Sequence, residues 1–185
     1  GKAGRIPAGT SMPAIAVRTS DLTSTRADLA VCFAFEGGRE PSIAGVAGKS
    51  PLGLELAKII KTEGFKGKAR ESVLWNSAGR FKAGHYLVLG LGRKTKAGLD
   101  TVRDGCGLAG RKAAAVKART LDIALPELAV PVGAEAIAQA ASEGLMLGSY
   151  RMRKYLTGDE TSRLPLKTAH LLCGKSALEQ ARRGS

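Results

Sequence analysis

Asp28 to Glu36 reads DLAVCFAFE and is apolar almost without interruption. A strand with one wet face alternates polar and apolar residues, so a continuous run of strand length fits a strand covered on both faces, as in an α/β sheet. The run is far short of the roughly 20 apolar residues that span a membrane as a helix, and no other segment approaches that length. The chain has 185 residues, enough for one domain, or one domain and the start of a second. With 44% hydrophobic but only 4% aromatic residues, the core must be filled by Leu, Val, Ile and Ala.

Other elements follow in order. Met12 to Arg18 reads as a strand, joined to the apolar run by a polar connection over Thr19 to Thr25. Gly37 to Lys49, with four glycines and a proline, reads as a loop. Ser50 as N-cap and Pro51 at N1 start an amphipathic helix with Leu54, Leu56, Ala57, Ile59 and Ile60 as its apolar positions, stopped at Gly64. Glu71 to Trp75 and His85 to Leu89 are strands about a turn-rich Asn76 to Gly84. Asp100 to Ala118 is a helix with Val102, Cys106, Leu108, Ala109 and Ala113 inward. Leu121 to Leu125 is a strand closed by Pro126. Gly133 to about Lys154 is a long Ala-rich helix with Gly144 and Gly148 as places for a bend. Leu166 to Cys173 is a last strand, and Ser176 to Arg183 begins a helix. Strands alternating with helices imply a mostly parallel or mixed sheet with helices on both faces. Thr157 to Pro165 is the one boundary; the strand beyond it either closes this sheet or leads into a following domain.

The formal net charge is +13. From Lys61 to Arg119 there are fourteen basic residues against four acidic ones, which makes polyanions plausible partners by non-specific attraction. Three dispersed cysteines, Cys32, Cys106 and Cys173, form neither a disulfide framework nor a CxxC knuckle; they read as buried thiols and favour a reducing cytoplasm. Gly1 to Pro13 has no apolar stretch of secretory-signal type.

Chemistry-bearing motifs are sparse. Gly90-Leu91-Gly92 follows the HYLVL strand and precedes a helix, a place where glycine amides often meet a phosphate. Position 95 is Thr, so the third glycine of GxGxxG is missing, and a tight structural turn explains the pair as well. The candidate anion or nucleic-acid contacts are Lys66, Lys68, Arg70, Gly90, Gly92, Arg93, Lys94, Lys96, Arg111 and Lys112. His85 and His170 lie among apolar neighbours with no ligand at metal spacing, and no GxSxG elbow or paired carboxylates appear. Tyr150, Arg151, Arg153, Lys154 and Tyr155 place positive charge at a helix C-terminus, which complements the helix dipole.

Three of these segments, in this order, resemble the N-terminal domain of the leucyl (cytosol) aminopeptidase family. Gly64-Phe65-Lys66-Gly67-Lys68 looks like that family's F-x-G-K segment. Leu87 to Lys94 (LVLGLGRK) is similar to its V-L-x-G-L-G-K signature. Glu143 to Tyr155 resembles its E-G-x-x-L-x-x-Y-x-F-x-x-Y helix, with Met152 in place of the aromatic and Arg153 where an acid is frequent. The resemblance runs from about residue 12 to 183; the first fifty residues match only in pattern.

It implies a macrodomain-like three-layer sandwich, a mixed sheet of about six strands with helices on both faces. Residues 1–156 would form that domain, and 157–185 a linker, strand and start of helix leading toward a catalytic domain. In the family the catalytic domain binds two divalent metal ions, zinc or manganese, and a bridging water attacks the peptide carbonyl. Its N-T-D-A-E-G-R and D-S-G-G motifs do not occur here, so no catalytic or metal-binding residue carries over. The implied role is an assembly or regulatory domain of a cytoplasmic hexamer, partnered by its own C-terminal catalytic domain and not by a membrane. Two alternatives remain open: a non-specific DNA-binding module, and a nucleotide or ADP-ribose binder at Gly90–Gly92.

Overall fold

The computed structural model describes residues 12–155 and 166–174. In chain order the elements are β1 (Ala14–Thr19), β2 (Leu29–Glu36), β3 (Ser42–Ala44), α1 (Pro51–Thr62), β4 (Ser72–Asn76), β5 (His85–Arg93), α2 (Leu99–Ala115), β6 (Thr120–Ala124), α3 (Ala134–Tyr155) and β7 (Thr168–Cys173). A short 3-10 turn at Leu22–Ser24 occupies the first connection. The sheet runs β1-β7-β6-β2-β5-β4, parallel except for β4, with β3 antiparallel beside the end of β2. This is the α/β, macrodomain-like sandwich expected.

The continuous apolar run is β2, at the centre of the sheet, with every residue from Leu29 to Phe35 buried. Because a strand's side chains alternate, the run serves two cores at once. Leu29, Val31, Phe33 and Phe35 join Leu87, Leu89, Leu121 and Ile123 beneath α2 and α3. Ala30, Cys32 and Ala34 join Tyr86 and Val88 against Leu52, Leu56 and Ile60 of α1. Helix α1 starts as its sequence directs: the Ser50 hydroxyl accepts from Gly53 N at 3.0 Å, and Pro51 sits at N1. Its inward face is rotated from the expected one, however. Leu52 and Gly53 are buried, whereas Leu54 is 61% exposed.

Two further expectations need correction, and one open alternative is decided. The loop assigned to Gly37–Lys49 contains β3, whose three residues are too few to show a periodicity. Gly90-Leu91-Gly92 is not a turn but the last part of β5. The strand after the 157–165 boundary takes the first of its two expected places: β7 lies between β1 and β6, inside this sheet. The expected helix over Ser176–Arg183 lies outside the described residues.

Helices α2 and α3 cross through glycine. A Cβ on Gly144 would lie 2.0 Å from Arg103 O, and one on Gly148 2.4 Å from Gly107 O. These glycines therefore mark backbone-to-backbone contact between two helices. One ion pair bridges the crossing, Arg103 Nε to Glu143 Oε2 at 3.0 Å, and Asp100 of the same helix holds Arg103 Nη1 at 2.6 Å.

All three cysteines are free and buried, in agreement with their apolar settings. Desolvation pushes the Cys32 and Cys106 thiols up to about 12. Above pH ~9 the unfolded chain loses these protons and the folded one keeps them, so stability must fall as pH rises toward 12. Each thiol contributes a slope of about 1.4 kcal/mol per pH unit in that window. The expected result is that iodoacetamide at pH 8 leaves both thiols unlabelled until urea unfolds the chain; rapid labelling of the native protein would refute their burial.

Candidate functional site

The two glycine motifs that opened the family resemblance meet in space. Glu71 holds the loop between α1 and β4: its Oε2 accepts from Lys66 N and its Oε1 from Lys68 N, each at 3.0 Å. The same loop bonds to the end of β5, with Gly92 N donating to Gly67 O at 2.9 Å and Gly90 N to Glu71 O at 2.8 Å. A Cβ on Gly90 would stand 2.0 Å from Lys68 O. Gly67 has φ of 82°, and its own Cβ would meet the backbone of Phe35 and Glu36 within 3 Å. The amides of Gly90 and Gly92 are thus spent on the loop, which removes the phosphate cradle considered for them.

The candidate cations divide into groups. Lys66 and Lys68 lie on this loop, Arg93 ends β5 and Lys94 and Lys96 follow it, so five positive charges lie at the C-terminal edge of the sheet. Arg70 pairs with Asp104 at 3.7 Å. Arg111 lines a groove over the α2–α3 crossing, together with Arg70, Arg103, Leu108 and Leu147. Lys112 lies in the last turn of α2, and Lys117 and Arg119 follow that helix at the opposite edge of the sheet. The basic stretch that is continuous in sequence is therefore not one patch. Side chains of residues 151–155 are outside the described set.

A polar cluster inside the sheet escaped the sequence reading. Register pairs Asp122 of β6 with His170 of β7, and His170 Nδ1 lies 2.8 Å from Asp122 Oδ1. The Thr25 hydroxyl donates to Asp122 Oδ2 and accepts from Ala27 N at 3.2 Å. The partners are 48 and 97 residues apart in sequence, so no local spacing announces them. Both Asp122 oxygens are engaged, and the cluster ties the first connection to the middle of the sheet. Truncating Asp122 to alanine strands two buried polar groups and is expected to lower stability by about 1–3 kcal/mol, read by urea unfolding. A change below about 0.5 kcal/mol, the range of ordinary surface substitutions, would remove this role.

No group of three or more His, Cys, Asp or Glu side chains that could hold a metal ion exists among the described residues. The donors that do meet, Asp122 and His170, are only two and satisfy each other with Thr25. They do not fit a two-metal centre.

A cleft of about 730 Å³ opens at the C-terminal ends of β2, β6 and β7. Its walls are Phe35 and Ser42–Gly45 on one side and Leu125–Leu128 with Val132–Ile137 on the other, with Cys173 and Gly174 at the end. It forms because β6 leaves β2 after the Val31–Ile123 pair and β3 takes over as the neighbour of Phe33 to Phe35. Gly45 closes the bottom: its φ is 85°, and a Cβ there would stand 2.5 Å from Ala124 Cβ. Chain connections leave β2 toward β5 and return to β6 on its other side, so the cleft sits where the strand order reverses. Such switch points are where open α/β sheets hold ligands. Lys94 reaches over the Phe35 ring at 5.6 Å, and Glu127 and Glu135 line the opposite wall.

The family model described as the cytosol aminopeptidase family, N-terminal domain, matches residues 31–159. The chain belongs to the cytosol aminopeptidase family. It is 32% identical over 117 residues to a probable cytosol aminopeptidase of Alkaliphilus oremlandii, covering 63% of this chain and 23% of that protein. A second, from Roseiflexus castenholzii, is 28% identical over 171 residues, covering 92% of this chain and 32% of the other. The chain thus spans a third or less of the length of these cytosol aminopeptidases. Among solved structures, a tomato leucine aminopeptidase superposes with a TM-score of 0.65 at 19% identity, covering 96% of this chain and 36% of that one. The macrodomain of Thermus aquaticus DarG superposes with a TM-score of 0.54 at 9% identity, covering 87% and 99%. Both likenesses are of fold. Among the described residues, no helix of this cytosol aminopeptidase domain is long and apolar enough to cross a membrane.

Proposed function

We propose that the chain is the non-catalytic, assembly and regulatory domain of a cytoplasmic two-metal aminopeptidase that removes N-terminal residues from peptides. The carrying observation is that a family model specific to the N-terminal domain matches residues 31–159, while the chain spans only 23% to 32% of its relatives. On this reading the zinc or manganese ions, and every residue that touches the scissile bond, belong to a C-terminal domain that follows β7, the strand at 168–173 being part of the present sheet. The present domain contributes a rigid sheet, contacts within a hexamer, and the walls around the active-site entrance. The test is removal of residues 1–174 from the parent enzyme, followed by light scattering and metal-supplemented hydrolysis of leucine p-nitroanilide. The expected result is a smaller assembly with altered KM; an unchanged hexamer with unchanged kinetics would eliminate both roles.

A second reading has its own observation, the five cations Lys66, Lys68, Arg93, Lys94 and Lys96 at one edge of the sheet in a chain of net charge +13. Such a surface would hold duplex DNA through phosphates alone, without base selection. Neutralising all five charges, each replaced by glutamine, would then flatten the dependence of log K on log salt by about 4–5 units, near 0.9 per phosphate contact. Absence of binding at low salt would dispose of it.

A further inference from the structure

We infer that the cleft at the C-terminal ends of β2, β6 and β7 is a binding site for a short, extended apolar peptide with a free amino terminus. The inference deepens the proposed function, because the choice of a peptide over other zwitterions rests partly on a peptidase parent.

β3 has an unused strand edge. β3 is bonded to β2 along one edge, and among the described residues it pairs with no other strand. Ser42, Ile43, Ala44 and Gly45 line the cleft. The edge of β3 that faces away from β2 is therefore presented to the cleft, with amide and carbonyl groups at strand spacing. An extended peptide can add to such an edge, taking affinity from main-chain bonds and selectivity from the walls. Natural sheets usually cover or charge a free edge, and β3 (Ser42, Ile43, Ala44) carries no charge.

Ile43, Leu125, Leu128, Val132 and Ile137 give the cleft an apolar interior, and its volume of about 730 Å³ suits a small ligand. Ligand pockets commonly fall between roughly 300 and 1,000 Å³. In a chain with 29 basic and 16 acidic residues, this cleft carries two carboxylates, Glu127 and Glu135, neither of which makes an ion pair among the described residues. Lys94 on the facing wall is likewise without a carboxylate partner there. A ligand with an ammonium group, apolar side chains and a carboxylate matches this distribution. A polyphosphate does not, because it would bring its charge against Glu127 and Glu135. That argues against a nucleotide as the occupant.

The test is isothermal titration of the 185-residue chain with the tripeptide Leu-Leu-Leu, with its N-acetylated form and with ADP-ribose. Expected are saturable binding of the free tripeptide, about tenfold weaker binding of the acetylated form, and none of ADP-ribose. The double variant Glu127→Gln/Glu135→Gln, both exposed and outside the core, should reproduce the acetylation loss with unchanged circular dichroism. Val132→Trp, which fills the cleft, should abolish binding, and its near-wild-type melting temperature would exclude unfolding as the cause. No heat with the free tripeptide, equal binding of both tripeptides, or binding of ADP-ribose alone would overturn the inference. Failure of the parentage reading is seen separately: it shows as absent metal-dependent hydrolysis by the longer protein, whatever the isolated domain binds.

Discussion

Replacing Gly144 by valine is expected to lower the stability of this domain by about 3–4 kcal/mol, at or beyond the usual ceiling for overpacking. Helix propensity alone argues the other way, since glycine in a helix interior is worse than alanine by about 1 kcal/mol. The geometry decides between them. A Cβ at this position would sit 2.0 Å from Arg103 O and 2.8 Å from its carbonyl carbon, and neither is the end of a flexible side chain. Relief requires the whole of α3 to move off α2, which would also separate Arg103 from Glu143. Even Gly144→Ala should destabilise. Urea unfolding measures the effect; an alanine variant more stable than the natural protein would show that the helices do not cross where described.

Gly90→Val is expected to cost a similar amount, about 3 kcal/mol. Valine is favoured in strands, so a reading from propensity expects a gain. Yet the loop Phe65–Arg70 is laid directly on this residue, with Lys68 O at 2.0 Å and Gly67 C at 2.8 Å from the missing Cβ. By contrast, replacing Arg93, Lys94 and Lys96 with glutamine should change stability by less than about 0.5 kcal/mol each, as expected for exposed side chains. If Gly90 and Gly92 served an anion, sulfate would protect the natural protein and not the Gly90→Val variant. Equal melting shifts in sulfate for both proteins support the packing role.

These two positions also show how much of the molecule could be read from its residues. The run DLAVCFAFE announced a central strand because apolarity on both faces has few other meanings, and β2 is that strand. Ser50 and Pro51 announced the start of α1 through an N-cap and a fixed φ. The glycines were visible, but their purpose was not. What excludes a side chain at Gly90 is a carbonyl 22 residues earlier, and at Gly144 a carbonyl 41 residues earlier, both brought there by tertiary structure. The Asp122–His170 pair was hidden for the same reason, since its contact exists only once β6 and β7 are in register. The cleft depended on β3, a three-residue strand inside a glycine-rich loop with no periodicity to reveal it. The misplacement of Leu54 has a local cause: Gly53 packs its backbone against Ala47 O and turns the helix so that its neighbour faces water.

On the function proposed above, this cytosol aminopeptidase domain supports a reaction it does not perform. The most direct measurement is hydrolysis of leucine p-nitroanilide by the 185-residue chain alone, with manganese or zinc added. The expected result is no release of p-nitroaniline above the metal-only control, because the described residues hold no cluster able to bind a metal pair. Turnover that requires the metal and co-purifies with the chain would contradict it.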